Sequence, residues 1–136
     1  MQKLYIYVII RVINLVVIHL KKRTAKVLIT SSEENHEYIV DIDENVDILT
    51  YTENNTTLVT LDRKNHRLIR ENNEMLMDFR FDKEIVTKSS LYLKSLNNTL
   101  DMYIKTNEIK IAPNMYYVDY EILDNDKIIY KVEIGE

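Results

Sequence analysis

The segment MLMDFRF, residues 75–81, decides the fold class, because every second position is Met or Phe. The positions between them carry Leu, Asp and Arg. A period of two places successive side chains on opposite faces of a β-strand, whereas an amphipathic helix repeats every 3.6 residues. The segment is therefore predicted to be a strand with one apolar face.

The same alternation continues on both sides of this segment. It is clear over residues 100–105, 116–122 and 128–134, and weaker over 25–31, 36–42, 46–52, 57–62, 66–71 and 108–112. No run keeps the apolar stripe of a long helix, and the best helical exception is a short turn near Lys88–Leu93. The chain is predicted to be all-β, with about eight to ten short strands.

Asn and Asp separate the predicted strands, since the chain has a single Gly. They occur in the segments Glu53-Asn54-Asn55, Glu71-Asn72-Asn73, Leu96-Asn97-Asn98 and Asp124-Asn125-Asp126. Asn and Asp tolerate a positive φ better than other residues with a side chain, so they can form turns in place of Gly. Many short strands joined by tight turns indicate an antiparallel barrel or sandwich.

The N-terminal 24 residues differ from the rest in charge and hydropathy. They hold five basic residues and no acid, whereas all 22 Asp and Glu lie in residues 25–136. Within them, Leu4–Leu20 is almost entirely apolar and precedes Lys21-Lys22-Arg23. Three interpretations stay open: a membrane anchor with the barrel on the cytoplasmic side, a segment packed on the domain, or a dispensable extension from a wrongly chosen start codon. A cleaved signal peptide fits poorly, because no small-residue cleavage site follows.

Composition argues against several classes of function. The chain has no Cys, which excludes disulfide scaffolds and thiol nucleophiles, and the single Gly excludes glycine-rich phosphate loops. His19, His36 and His66 are too scattered for a recognisable metal site. An acidic body repels nucleic acid. We therefore expect no metal, cofactor or nucleic-acid partner, and no enzyme activity. The carboxylate pairs Asp41/Asp43 and Asp119/Glu121 are expected to lie on the solvated outer surface.

A family resemblance follows from four stretches of the chain: HRLIRENNEMLMDFRF (66–81), SSLYLKSLNNTLDMYIKTNEIKI (89–111), YYVDYEIL (116–123) and KIIYKVEI (127–134). Together they resemble the YwiB-like family, small bacterial proteins with a calycin-like (lipocalin-like) barrel and no assigned activity. The residues that fit the family's order, allowing one-residue shifts, are Ile69, Arg70, Met75, Met77, Phe81, Tyr92, Leu100, Met102, Thr106 and Ile109. The sequence departs from the family at Asn72 and Asn97, where the family prefers Gly, and at Lys94-Ser95, where it has Thr-Pro.

The resemblance covers residues 25–136 and implies one calycin-like barrel domain over that range. The preceding residues 1–24 then form a short apolar extension, and membrane contact is expected only through residues 4–20. Because proteins of this family are soluble and cytoplasmic, the resemblance also implies a cytoplasmic location. It describes core and turn residues, so it is informative about the fold and nearly silent on chemistry.

The candidate ligand-binding residues are those expected at the barrel interior or mouth: Arg70, Met77, Phe79, Met102 and Tyr120. An interior lined by Met, Tyr and Phe is compatible with a small apolar or aromatic ligand, and equally with ordinary core packing. Arg70 is expected to form a cross-strand ion pair, or else to meet an anionic ligand.

Two functions remain at this point. One is a binding protein for a small lipophilic or aromatic molecule. The alternative is a non-catalytic structural or accessory protein that acts through protein contacts and is tethered to a membrane by its N-terminus.

Overall fold

The computed structural model describes residues 21–135. Ten strands account for most of this range, and the alternating segments of the sequence extend beyond them by at most two residues, with 100–105 and 108–112 joined in one strand. Their bounds are β1 (Lys21–Ser31), β2 (Asn35–Asn45), β3 (Ile48–Glu53), β4 (Thr57–Asp62), β5 (Arg67–Glu71), β6 (Met75–Arg80), β7 (Thr87–Leu93), β8 (Asn98–Ala112), β9 (Met115–Ile122) and β10 (Lys127–Ile134).

The ten strands form one closed antiparallel barrel with meander topology. Each strand pairs with its neighbours in sequence, and β1 pairs with β10 from Ala25↔Ile134 to Ser31↔Ile128. This last pairing joins the two ends of the sheet and leaves no open edge between the first and last strands. The predicted all-β antiparallel barrel is confirmed, with a strand count at the upper end of the expected range.

The expected helical turn near Lys88–Leu93 is wrong, because this segment lies within β7. The strand pairs with β6 on one side and with β8 on the other. Two flanking ladders satisfy its backbone hydrogen bonds, so nonlocal pairing outweighs the weak local preference for a turn. β1 also begins earlier than the sequence pattern indicated, since residues 21–24 already pair with β2.

The hairpin turns are built largely from Asn and Asp, as the sequence predicted. Asn54, Asn55, Asn97 and Asp124 have φ values of 52°, 60°, 46° and 66°. Asn72 acts differently: its side-chain oxygen accepts hydrogen bonds from the backbone N–H groups of Glu74 and Met75, at 2.9 and 3.0 Å. Side-chain chemistry thus replaces glycine at these turns.

Two further residues with positive φ were not predicted. Val46 (φ 55°) and His66 (φ 54°) lie in the connections from β2 to β3 and from β4 to β5. Both connections are at the same end of the barrel. A β-branched residue such as Val is unfavourable in this left-handed region, so the first of these turns carries backbone strain.

Alternate residues of every strand face the barrel interior, and one group of them forms a packed core. Each member of this group is less than 7% exposed, and they come from nine of the ten strands and the residue that follows β6. Tight packing of such side chains is the main stabilising contribution in a domain of this size. The packed core consists of Ala25, Val27, Val40, Ile42, Leu49, Tyr51, Val59, Leu61, Leu68, Phe79, Phe81, Ile104, Tyr116, Val118, Tyr120, Tyr130, Val132 and Ile134.

Candidate functional site

A second group of inward-facing side chains is only half-buried. These residues follow the alternation of the packed core, but they lie toward the end of the barrel formed by the turns at 32–34, 54–56, 72–74, 94–97 and 123–126. We call this group the cup. Its members are Ile29, Tyr38, Met77, Leu91, Met102, Ile122 and Ile128.

The exposure of the cup differs from that of the opposite end on β10, whereas on β8 the opposite end is also accessible, since Ile109 is half-buried and Ile111 is 55% exposed. On β10, Ile128 at the cup end is half-buried, whereas Tyr130, Val132 and Ile134 are 1%, 0% and 6% exposed. An inward-facing side chain contacts solvent where it lies near the mouth of the barrel. The cup is therefore partly accessible, although Ile29, Tyr38, Met77, Met102, Ile122 and Ile128 also pack against the buried core.

A polar cluster lies inside the barrel beside the cup. The Arg70 guanidinium donates from Nη2 to Oε1 of Glu53 over 2.6 Å, and Tyr130 donates its hydroxyl hydrogen to Oε2 of the same carboxylate over 2.7 Å. The hydroxyl of Tyr51 in turn hydrogen-bonds that of Tyr130. Both carboxylate oxygens of Glu53 thus have partners, which is what burial of a carboxylate requires.

The two charged members of this cluster differ in accessibility. The Glu53 side chain is 2% exposed, whereas that of Arg70 is 26% exposed. Nε of Arg70 is buried and has no hydrogen-bond partner among the described residues. A guanidinium carries five N–H donors, so Arg70 retains donors that the ion pair does not use. Burial alone would lower the pKa of Arg70, but the adjacent Glu53 carboxylate together with Tyr130 and Tyr120 outweighs burial and raises it.

The tyrosines of this region are held in their neutral form. Burial raises the pKa of Tyr120 to about 12, and the positive charge of Arg70 only partly opposes this. Burial likewise raises the pKa of Tyr51 and of Tyr130. These phenols therefore remain hydrogen-bond donors and acceptors at neutral pH.

The five candidate residues predicted from the sequence separate into two environments. Met77 and Met102 belong to the cup, and Arg70 belongs to the polar cluster beside it. Phe79 and Tyr120 are buried at 4% and 3% exposure. Their rings pack against each other with centroids 5.8 Å apart, deeper in the barrel. Phe79 and Tyr120 are thus part of the packed core beneath the cup, whereas Arg70 and the two methionines are partly accessible to solvent.

Sequence reasoning missed Glu53, Tyr51 and Tyr130 as members of this region. Glu53 was taken as part of a turn, although it continues the period-two pattern of Leu49 and Tyr51 by one more step. That alternation is a usable signal, since it predicts that a charged side chain faces inward. Which charged residue it meets there is set by the tertiary structure.

The carboxylate pairs weighed from the sequence face outward. Asp41 is exposed, and Asp119, although only 8% exposed, is covered by Asn107, whose amide lies 3.3 Å away. Asn107 is the extra residue of a β-bulge between Thr106 and Glu108. Within residues 21–135, no three His, Asp or Glu side chains converge in a way that could hold a metal ion. The part of the chain that the structure describes also contains no helix long and apolar enough to span a membrane.

Two clefts of about 490 and 580 Å³ lie at the opposite end of the barrel, around His66 and Ile111. Their walls include Arg63 and Asp82, and they contain none of the predicted ligand-binding residues. His66 is held there by a hydrogen bond of 3.0 Å between its Nδ1 and the hydroxyl of Tyr116.

The fold and the site together define a small meander β-barrel with a packed core, a ring of half-buried apolar side chains toward one end, and an ion pair between Glu53 and Arg70. No protein-family model matches the chain, and no curated protein matches it.

Proposed function

We propose that this protein binds a small apolar or aromatic molecule inside the barrel, within the cup. The resemblance to the YwiB-like family supports a calycin-like assignment of the barrel, and we propose the cytoplasm as its location on the same ground. The ligand would contact Met77 and Met102, whose flexible side chains adapt to different shapes. Arg70 would face its polar end.

The observation that carries this proposal is the half-buried ring of inward-facing apolar side chains. Seven residues from seven strands lose only part of their solvent contact, although they face the interior of a closed barrel. Burying such a side chain fully is worth about 1.5–3 kcal/mol, so a ligand that covers several of them gains a large apolar contribution to binding.

The proposal is tested by filling the cup with a larger side chain. Met102→Trp adds bulk at the centre of the cup, and Tyr103→Trp is the matched control, because Tyr103 is the next residue on β8 and is 48% exposed on the outer face. We expect the wild type and the control to bind the uncharged fluorescent probe Nile red, and Met102→Trp to bind it on the order of tenfold more weakly. Thermal unfolding checks that both variants are folded.

Native mass spectrometry of the freshly purified protein provides a second test. Co-purification of a small molecule that Met102→Trp loses and Tyr103→Trp retains supports the proposal. Absence of probe binding to the wild type, or equal binding to all three proteins, contradicts it.

A second candidate function, an accessory role through protein contacts, has its own supporting observation. A groove of about 360 Å³ on the outer surface runs between β2 and β4, and it is lined in part by Ile39 and Leu58, which are 65% and 50% exposed. β2 and β3 pair over only three residue pairs, from Asp43↔Thr50 to Asn45↔Ile48. Exposed apolar side chains beside a short ladder are typical of a protein contact surface.

The membrane-tethered form of this second function concerns residues 4–20, which lie outside the described residues. Fractionation of cells that express the full chain or a chain lacking residues 1–20 tests it. The deletion should stop at residue 20, since Lys21 already pairs with Glu44 in the barrel. Membrane association that depends on residues 1–20 supports the tether, and recovery of both chains in the soluble fraction contradicts it.

A further inference from the structure

The charges that face the cup are balanced. Of the described side chains beside it, Arg70 and Glu53 carry opposite charges and lie 2.6 Å apart. His36 follows the inward alternation at the rim, where its ring lies 2.7 Å from the carboxylate of Glu34. The interior thus presents a cation whose charge is already compensated.

We propose that the cup selects uncharged amphipathic molecules, namely an apolar chain or ring that carries one neutral oxygen acceptor such as a hydroxyl or carbonyl group. This inference rests on the proposed function, since it names the chemical class of the ligand that the cup binds. It also assigns a role to each member of the ion pair: Arg70 recognises the ligand oxygen, and Glu53 sets the charge that the site accepts.

The difference in burial determines which member of the pair a ligand meets. Arg70 is partly accessible and Glu53 is not. Glu53 accepts one N–H of Nη2, and a guanidinium carries five N–H groups, so the accessible part of the Arg70 side chain has N–H groups that can still donate. A ligand oxygen beside Arg70 is therefore a hydrogen-bond acceptor, and an ammonium group, which carries only donors, has no partner there and is repelled by the guanidinium.

The compensated charge argues against a carboxylate ligand. A carboxylate that enters the cup loses its hydration and meets one cation that already holds an anion. Its attraction to Arg70 is opposed by repulsion from Glu53 within a few ångströms, so the cost of desolvation is not recovered. A hydroxyl or carbonyl group loses much less hydration energy and still accepts a hydrogen bond.

The test compares two ligands that have the same chain and different head groups. Dodecanol and dodecanoate are titrated against Nile red bound to the wild-type protein at a pH at which dodecanoate is ionised. We expect dodecanol to displace the probe at concentrations on the order of tenfold lower than dodecanoate. In Glu53→Gln the charge of Arg70 is no longer compensated, so we expect dodecanoate to bind on the order of tenfold more tightly than it does to the wild type.

Asp78→Asn is the matched control for Glu53→Gln. It produces the same change in net charge, but Asp78 lies on the outer face of β6, where it accepts hydrogen bonds from Arg67 at 2.9 and 2.7 Å. We expect this variant to keep the wild-type preference for dodecanol.

Two outcomes overturn the inference in different ways. If Nile red binds in the cup but dodecanoate competes as well as dodecanol, the charge selectivity is wrong and the proposed function stands. If the probe binds outside the cup, or does not bind, the proposed function fails and the inference fails with it. If Glu53→Gln does not fold, the comparison of dodecanol with dodecanoate on the wild-type protein still tests the inference.

Discussion

Glu53 and Arg70 form an ion pair inside the barrel, although they lie on β3 and β5 and β4 separates these strands. The residues directly opposite Arg70 on its two neighbouring strands are Val59 and Met77, which are both apolar. The ion pair therefore bridges over β4 on the inner face of the sheet. This arrangement places a charged pair at the boundary between the packed core and the cup.

Removal of one member of this pair should cost more than removal of both. We expect Arg70→Met to lower the free energy of unfolding by about 2–4 kcal/mol, because it leaves the buried Glu53 carboxylate without a counter-charge. Addition of Glu53→Gln should recover part of that loss, since Gln still accepts the hydrogen bond of Tyr130. Urea denaturation with unchanged m-values measures each free energy.

The control for Arg70→Met and the double variant is Arg67→Met, which breaks an ion pair on the outer face. The Arg67 side chain is 40% exposed, so we expect a loss of less than about 1 kcal/mol. If the double variant Arg70→Met/Glu53→Gln is less stable than Arg70→Met alone, the unpaired Glu53 carboxylate is not the cause of the lost stability.

The buried tyrosines should make the protein sensitive to alkali. Burial raises the pKa of Tyr120 to about 12 from an ordinary value of 10.0, and it raises the pKa of Tyr51, Tyr116 and Tyr130 in the same direction. The unfolded chain therefore loses these protons first. The contribution of these tyrosines to stability should be constant well below pH 10 and should fall as the pH rises toward 12, by up to about 1.4 kcal/mol per pH unit for each such group.

Tyrosinate absorbance and far-ultraviolet circular dichroism, recorded over the same pH range, check this expectation. We expect the last tyrosines to ionise together with the loss of strand signal, and Tyr120→Phe to make the decline less steep. Complete ionisation near pH 10 with the barrel intact would contradict it. The chain in concentrated guanidinium chloride serves as the reference for unperturbed tyrosines.

Arg63 should stabilise the turn between β2 and β3. Its guanidinium donates to Oε2 of Glu44 at 2.9 Å and to the carbonyl oxygens of Val46 and Asp47 at 2.6 and 3.3 Å. Arg63→Met keeps the apolar stem and removes these bonds, so we expect a loss of about 2–3 kcal/mol in urea denaturation. Lys64→Met, which alters an exposed neighbour of the same charge, should change stability by less than about 0.5 kcal/mol. Equal losses in the two variants would rule out a specific role for Arg63.

Val46→Asn should stabilise the same turn. Val46 has φ 55° and is 80% exposed, so Asn relieves backbone strain and removes little packing. We expect a gain of about 0.5–1 kcal/mol, measured as a higher urea midpoint. Val86 is the control position, since it is 49% exposed and is not among the residues with positive φ. A gain of the same size from Val86→Asn would assign the effect to surface polarity and not to strain.

Local alternation gave a reliable prediction of which side chains point into the barrel. Met77, Phe79, Met102 and Tyr120 all face inward, as the period of two requires. The alternation predicts the same environment for Phe79 and for Met77, two residues away, but Phe79 is packed and Met77 is half-buried. That difference depends on how far the neighbouring strands extend past each position, which is a property of strand stagger in the closed barrel.

The sequence by itself determined the strands other than β7, the inward set of side chains and the use of Asn and Asp in the turns, because each depends on residues adjacent in the chain. Only the tertiary structure decided that β1 pairs with β10, that β7 is a strand, and that Glu53 meets Arg70. These contacts join residues distant in sequence, so they stabilise the protein only once the barrel has closed.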